Sequence, residues 1–165
     1  MALKIDTEYQ KTMDLKEKLV SSFLAFENKG GLDLDSKVHS IRLNAIQNFE
    51  NKGFPTKKDE EWKYTSLRPL LKHDFSLFPS NEKAIEFKKV KEYLINDIES
   101  YTLIFIDGVF SSYLSSTTHE DCDVCVLSSA LTRPKYKMVV DNYFNTIAKN
   151  NNSLTELNTA FTKEG

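Results

Sequence analysis

Cysteine is scarce in this sequence, because the 165-residue chain contains only two, Cys122 and Cys125. Two cysteines so close together cannot form a disulfide framework, which excludes a cross-linked scaffold and agrees with a reducing compartment. A chain of this length buries roughly two thirds of the surface that it exposes when unfolded. Neither a disulfide nor a structural metal is therefore required for stability.

Long hydrophobic runs and an excess of one charge are also absent. No stretch of about 18 apolar residues occurs, and the first residues, MALKIDTEYQ, lack the charged-then-apolar order of a secretory signal. Lys and Arg number 22 against 24 Asp and Glu, for a formal net charge of -2. Such a balance gives no basic field for nucleic acid. We therefore expect a cytoplasmic protein that neither crosses a membrane nor binds nucleic acid.

Apolar residues at helical spacing predict two consecutive helices, packed as an antiparallel pair. The first runs from about Asp6 to Asn28 and ends at Gly30-Gly31. Its apolar face is formed by Leu15, Leu19, Phe23 and Phe26. The second has Asp35 or Ser36 as its N-cap and stops at Gly53. Its apolar stripe consists of Val38, Ile41, Ala45 and Phe49.

The middle of the chain carries signals of β structure. After a linker and a helix around Lys88–Asp97, the apolar run Tyr101–Ile106 predicts a buried strand. Asp107-Gly108 follows, and Asp-Gly between apolar runs is a strong hairpin signal because both turn residues must accept positive φ. Val109–Leu114 would be the returning strand, and Cys122–Leu127 is a plausible third strand.

Two further helices are predicted near the C-terminus. The first follows Pro134, and its wide apolar face, which fits core packing, is formed by Tyr136, Val139, Val140, Tyr143, Phe144 and Ile147. The second opens with a capping box formed by Ser153 and Glu156. Its apolar residues are Leu154, Leu157, Ala160 and Phe161.

These patterns together predict an α+β fold. Residues 1–98 form a helical N-terminal region, and residues 99–165 form a hairpin followed by helices. A helix that buries its face normally leads into another element, and the sequence stops at Gly165. We therefore expect the chain to be a fragment of a longer protein, and we expect the fragment to be monomeric.

The stretch GFPTKKDEEWKYTSLRP, from Gly53 to Pro69, holds the only tryptophan, Trp62. Thr56 can cap a short helix whose first turn contains three acids, which the helix dipole stabilises. A tryptophan beside a charge run is more often a core anchor than a ligand platform. We therefore predict that Trp62 is buried against the helices, so that Trp62→Ala would cost ~3–5 kcal/mol.

The same stretch, extended to GFPTKKDEEWKYTSLRPLL, resembles the N-terminal region of SufD, a subunit of the Suf iron-sulfur cluster assembly system. Three more segments resemble that family in the same order: IFIDGVFSSYLS, CVLSSAL and LNTAFTKEG. The resemblance covers about residues 36 to 165. SufB shares part of this architecture, and the compact first motif followed closely by a strand favours SufD.

The resemblance implies a bacterial-type, non-catalytic scaffold subunit in the cytoplasm. In that family SufD pairs with SufB, and both engage the ATPase SufC. The chain would lead toward a β-helix domain, and the residues for cluster assembly and SufC docking would lie beyond Gly165. The sequence therefore assigns no catalytic, cofactor-binding or metal residue to this chain.

The alternative is an independent helical adaptor or a small metal-binding protein. HEDCDVC offers His119, Cys122 and Cys125 with three carboxylates, a set that suits zinc or iron. If Cys122–Leu127 is a strand, residues three apart point to opposite faces, so the two thiols would not reach one ion. A redox role is weak for the same reason, because no helix would follow to lower the pKa of a thiol. His39 is interpreted as a boundary histidine beside an apolar stripe.

Overall fold

The computed structural model describes residues 14–30, 35–75, 77, 85–95, 98, 100–117, 122–147 and 152–162. Helices in these ranges are α1 (Leu15–Gly30), α2 (Lys37–Lys52), α3 (Arg68–Leu71), α4 (Phe87–Lys91), α5 (Leu127–Leu131), α6 (Pro134–Tyr143) and α7 (Ser153–Ala160). A short 3-10 helix spans Glu60–Trp62, and strands β1 (Phe105–Ile106) and β2 (Val109–Phe110) form an antiparallel pair. This mostly helical architecture with one small sheet agrees with the predicted α+β class.

Helices α1 and α2 form the predicted antiparallel pair. Lys16 Nζ, at the start of α1, donates to the carbonyl of Glu50 at the end of α2, at 3.2 Å. At the opposite end, His39 Nδ1 lies 2.7 Å from Glu27 Oε2. Opposite ends of the two helices thus meet, as an antiparallel arrangement requires.

The limits of α2 follow from local chemistry, as the sequence predicted. Ser36 is the N-cap, and its side chain accepts a hydrogen bond from the His39 N–H at 3.1 Å. Gly53 ends the helix at φ 68° and ψ -167°, a region that is essentially restricted to glycine. Its N–H donates to the carbonyl of Phe49 at 2.7 Å, which satisfies one of the last free carbonyls of the helix.

The core joins three helices, because α7 packs against the α1–α2 pair. Its buried residues are Phe23, Ala45, Ile46, Phe49 and Ala160. Phe161, just after α7, contacts Phe23 and Phe26 edge to face, with ring centroids 6.0 and 5.1 Å apart. The C-terminal helix therefore completes a core that begins in the N-terminal region. The division at residues 98 and 99 stays a prediction.

The cap of α7 is not the predicted one. Asn152 is the N-cap, and its Oδ1 accepts a hydrogen bond from the Leu154 N–H at 2.9 Å. Glu156 does not complete a capping box, since its Oε1 accepts from Asn48 Nδ2 on α2 at 3.2 Å. The predicted box at Ser153 is wrong by one residue because an asparagine caps as well as a serine.

The hairpin is confirmed, but its strands are shorter and more exposed than expected. Asp107 and Gly108 adopt φ 51° and 83°, the positive values that a tight two-residue hairpin turn requires. Just outside the two strands, a side chain replaces the backbone partner of a longer ladder. Ser115 Oγ accepts a hydrogen bond from the Ile104 N–H at 2.8 Å and donates one to the Ser111 carbonyl at 2.6 Å. Phe105, within the strand predicted to be buried, is 50% exposed.

Three other boundaries differ from the predictions. Cys122–Leu127 does not form a third strand, and Leu127 instead begins α5. Helix α4 covers Phe87–Lys91 and does not reach Asp97. The predicted start of the first helix at Asp6 lies outside the described residues. No helix in the described part of the chain is both long and apolar enough to cross a membrane.

Candidate functional site

The stretch from Gly53 to Pro69 begins with a self-contained turn. Asp59 Oδ2 accepts hydrogen bonds from the Thr56 N–H at 2.7 Å and from Thr56 Oγ1 at 3.1 Å. The backbone bond first, and the hydroxyl second, hold the pKa of Asp59 below its ordinary value. Thr56 therefore does not cap the 3-10 helix, which begins four residues later at Glu60. Thr56 Oγ1 also accepts from the Lys58 N–H at 3.2 Å, so the acid and the threonine close the turn together.

This stretch is fastened to the start of α7. Asn152 Nδ2 donates to Glu61 Oε2 at 3.0 Å, while Asn152 Oδ1 caps the helix. The Glu61 carboxylate thus lies near the positive end of the α7 dipole, where a negative charge is favourable. One asparagine links the charge run to the core helices.

Trp62 is half-buried, so the prediction of full burial is wrong. It lines a surface groove together with Phe54 and Asn152. The residue that reaches the core from this stretch is Phe54, whose ring lies 5.1 Å from that of Phe49. The sequence did not identify Phe54 as the residue that anchors this stretch. The pattern that could have indicated it is an apolar side chain directly after the glycine that ends α2.

A buried ionic cluster lies between α1 and α2. Glu27 and Arg42 are 2% and 1% exposed, and the His39 ring lies over the same site with its Nδ1 2.7 Å from Glu27 Oε2. Burial lowers the pKa of Arg42, and the charge of Glu27 opposes that shift. The guanidinium also lies 5.7 Å from the ring centre of Phe26. The predicted boundary position of His39 is confirmed, since its side chain is 17% exposed, but its Nδ1 faces the Glu27 carboxylate without a formed hydrogen bond in the described part of the chain.

The sequence did not predict Glu27 or Arg42 as part of this cluster. Several of their buried atoms lack a hydrogen-bond partner within the described part of the chain: Glu27 Oε1 and Oε2, and Arg42 Nε and Nη1. Charged residues are expected at the surface. Only their positions on the helices, relative to the apolar stripes, could have indicated that these two are buried. Arg42 lies three residues before Ala45 and four before Ile46, which places it on the buried stripe.

The two cysteines are free and exposed. Between them, Asp123 Oδ2 accepts from Tyr136 Oη at 2.5 Å and from Lys135 Nζ at 3.2 Å, which ties this segment to the start of α6. The hydroxyl of Tyr136 and the ammonium of Lys135 lower the pKa of Asp123, and the same carboxylate raises the pKa of Tyr136. These bonds hold the segment against the start of α6.

The metal hypothesis is not tested by these contacts. His119 lies outside the described residues, and no three His, Cys, Asp or Glu side chains within the described ranges are grouped for a metal ion. The argument that a strand keeps the two thiols apart no longer holds, because Cys122–Leu127 is not a strand. The same correction removes the reason given against a redox role.

Helix α6 begins at Pro134 as predicted but ends at Tyr143, because Phe144 turns to an extended conformation, so Phe144 and Ile147 of the predicted apolar face lie beyond the helix. Much of the remaining face is exposed. Met138 is 62% exposed, Val139 49% and Tyr143 64%. Tyr136 and Val140, on the inner side, are only half-buried. The prediction that this face packs into the core is therefore wrong for its outer side, which presents apolar side chains to solvent.

Comparison with known proteins points to one family. Residues 13–165 match the family model described as the SufBD protein N-terminal region. The chain is also 26% identical over 162 residues to an iron-sulfur cluster assembly SufBD family protein from Synechocystis sp.. That alignment covers 95% of this chain and 32% of the relative, so the chain spans about a third of the relative's length. No solved structure matches the chain.

Proposed function

Because the chain belongs to the SufBD family, we propose that it is the N-terminal region of a SufD-type scaffold subunit that serves iron-sulfur cluster assembly without being an enzyme itself. The observation that carries this proposal is the family match, which extends from residue 13 to residue 165. The printed name of the Synechocystis relative supports the process. The compact GFPTKKDEEWKYTSL motif supports SufD rather than SufB.

The use of charged residues within the chain supports a scaffold role. Glu27 lies beside His39 between two helices, Asp59 closes a turn, and Glu61 accepts a bond from the cap of α7. Asp123 is likewise bonded to Tyr136. Asp59, Glu61 and Asp123 thus bond to groups of the chain itself, and Glu27 is buried inside it, which is the pattern of a structural region.

The exposed side of α6 supports a role in interaction. Met138, Val139 and Tyr143 lie within two turns of one helix and are each about half exposed or more. Contiguous apolar surface of this kind marks interaction sites more often than isolated apolar residues do. In the proposed complex the longer polypeptide that carries this region pairs with SufB, and both engage SufC in the cytoplasm.

Affinity co-purification tests this proposal. The natural gene product that carries this sequence would be tagged and recovered from cells beside the tagged 165-residue chain. We expect the gene product to retain both SufB and SufC. A variant with Met138→Ser and Val139→Ser tests the α6 surface, and Lys88→Ser with Lys89→Ser on α4 is its matched exposed control. Recovery of neither SufB nor SufC with the gene product would contradict the proposal.

A further inference from the structure

The residues that follow α2 form one wall of a cavity of about 670 Å³. Its apolar floor consists of Phe54, Pro55, Leu67 and Leu71. Phe54 is held from below by its contact with Phe49, and Leu71 belongs to α3. The contact of Phe54 with Phe49 fixes this floor to α2, and the volume of the cavity lies in the range of ligand-binding pockets, roughly 300–1,000 Å³.

The rim of this cavity carries charge of one sign. Lys57, Lys58 and Arg68 line it, and no acidic residue does so. None of these three cations forms a salt bridge with an acid among the residues that the structure describes. We call this cavity, with its four floor residues and three cations, the cationic cleft.

The neighbouring acids face elsewhere. Asp59, Glu60 and Glu61 line the adjacent groove beside Trp62. Asp59 is engaged by Thr56 and Glu61 by Asn152. Lys52 and Lys58 line that groove as well, so the acids share it with two cations, whereas the cleft is lined by Lys57, Lys58 and Arg68 and by no acid.

We propose that the cationic cleft binds a small organic anion, in which a carboxylate, phosphate or sulfonate is attached to an apolar body. The apolar body covers Phe54, Leu67 and Leu71, and the anionic group lies among the cations of the rim. Burial of the apolar part supplies most of the affinity, and the charges select an anion over a neutral molecule. This binding role goes beyond the scaffold function and does not depend on it.

Titration with anilinonaphthalene sulfonate tests the proposal, since this fluorescent probe carries a sulfonate on an aromatic body. We expect saturable binding to one site on the 165-residue chain. Lys57→Gln with Arg68→Gln should raise the Kd by roughly tenfold, because each exposed charge pair is worth about threefold. Lys88→Gln with Lys89→Gln removes two exposed charges from α4 and should leave the Kd within about a factor of two.

A neutral probe separates charge recognition from adhesion to apolar surface. N-phenylnaphthylamine has the same body without the sulfonate, and its weaker binding should be unaffected by Lys57→Gln with Arg68→Gln. Equal losses for both probes, or no loss for either, would overturn the proposal. So would equal losses for the sulfonate in the cleft variant and the α4 control.

Amide shift mapping locates the probe without any mutation. Adding the sulfonate should shift the backbone amide signals of Thr56, Ser66 and Leu67, which line the cationic cleft. Because α6 also exposes apolar side chains, Val139→Ser with Tyr143→Ser is the second control. Signal changes confined to α6, or binding abolished by the α6 variant alone, would place the probe elsewhere and refute the cationic cleft as its site.

Discussion

Glu27 and Arg42 test how much burial changes the energetic value of two opposite charges that act on each other in this chain. Both side chains are almost completely buried, and the charge of Glu27 acts on the guanidinium. Removing one partner of a buried pair leaves an uncompensated charge and costs about 3–5 kcal/mol. We therefore expect Glu27→Met and Arg42→Met each to lower the free energy of unfolding by ~3–5 kcal/mol.

The double variant gives the opposite expectation. Replacing both charges by apolar side chains of similar volume removes the desolvation cost together with the attraction, and such replacements range from neutral to stabilising by ~1–4 kcal/mol. Urea unfolding followed by far-UV circular dichroism measures all three variants. The exposed pair Lys18–Asp74 is the control, because its charged atoms lie 2.7 Å apart while Asp74 is 94% exposed.

The control should respond weakly to the same treatment. Breaking an exposed pair with Asp74→Asn is expected to cost at most about 1 kcal/mol. The reasoning would be refuted if Glu27→Met cost no more than Asp74→Asn, or if the double variant lost the sum of the two single losses. Either result would mean that Glu27 and Arg42 are not coupled through a shared, dry environment.

The remaining predictions concern single residues along the chain. Gly53→Ala should lower the free energy of unfolding by ~1–3 kcal/mol through backbone strain at φ 68°. A steric clash does not contribute, because the nearest side-chain atom, Lys16 Cδ, is 3.6 Å from the added Cβ. A loss near zero in urea unfolding would contradict this. Asn152→Ala should cost about 1 kcal/mol as a lost helix cap, whereas Ser153→Ala should cost little, and the reverse order would restore Ser153 as the cap. The Asp59 carboxyl should titrate below 3.8 when followed by NMR, so the stability that it contributes is present above its unfolded pKa and is lost as the pH falls through the depressed folded pKa; a midpoint above 3.8 would rule out the turn geometry. Trp62→Ala should cost ~2 kcal/mol rather than the value for a fully buried side chain, and acrylamide should quench its fluorescence partially; complete protection would indicate burial.

Features decided by a few adjacent residues could be predicted from the sequence. Ser36 caps α2, Gly53 ends it, and Asp107-Gly108 turns the hairpin, each as its local chemistry indicates. In these cases a side chain bonds its own neighbouring backbone, or a φ value excludes other residue types. No distant contact is needed, and the prediction does not depend on the rest of the fold.

Features that require a distant partner could not be predicted in this way. Cys122–Leu127 has the composition of a strand, but only Asp123 forms an isolated β-bridge, and its side chain is bonded to α6. The apolar face of α6 indicated a helix correctly but said nothing about what covers it. Periodicity identifies a face, and only tertiary contacts decide whether that face is buried.

The candidate site shows the same division between local and distant causes. The charge run around Trp62 was expected to serve one short helix, and its acids do engage nearby groups: Asp59 binds Thr56, and Glu61 reaches Asn152 across 91 residues of sequence. The second contact exists only because α7 returns to pack on α2. That return draws the acids toward the start of α7, and Lys57 and Arg68 remain on the other side of the loop above Phe54. The separation of charge that defines the cationic cleft is thus a product of the three-helix core, which explains why a stretch with nearly balanced charge in sequence presents cations alone on one surface.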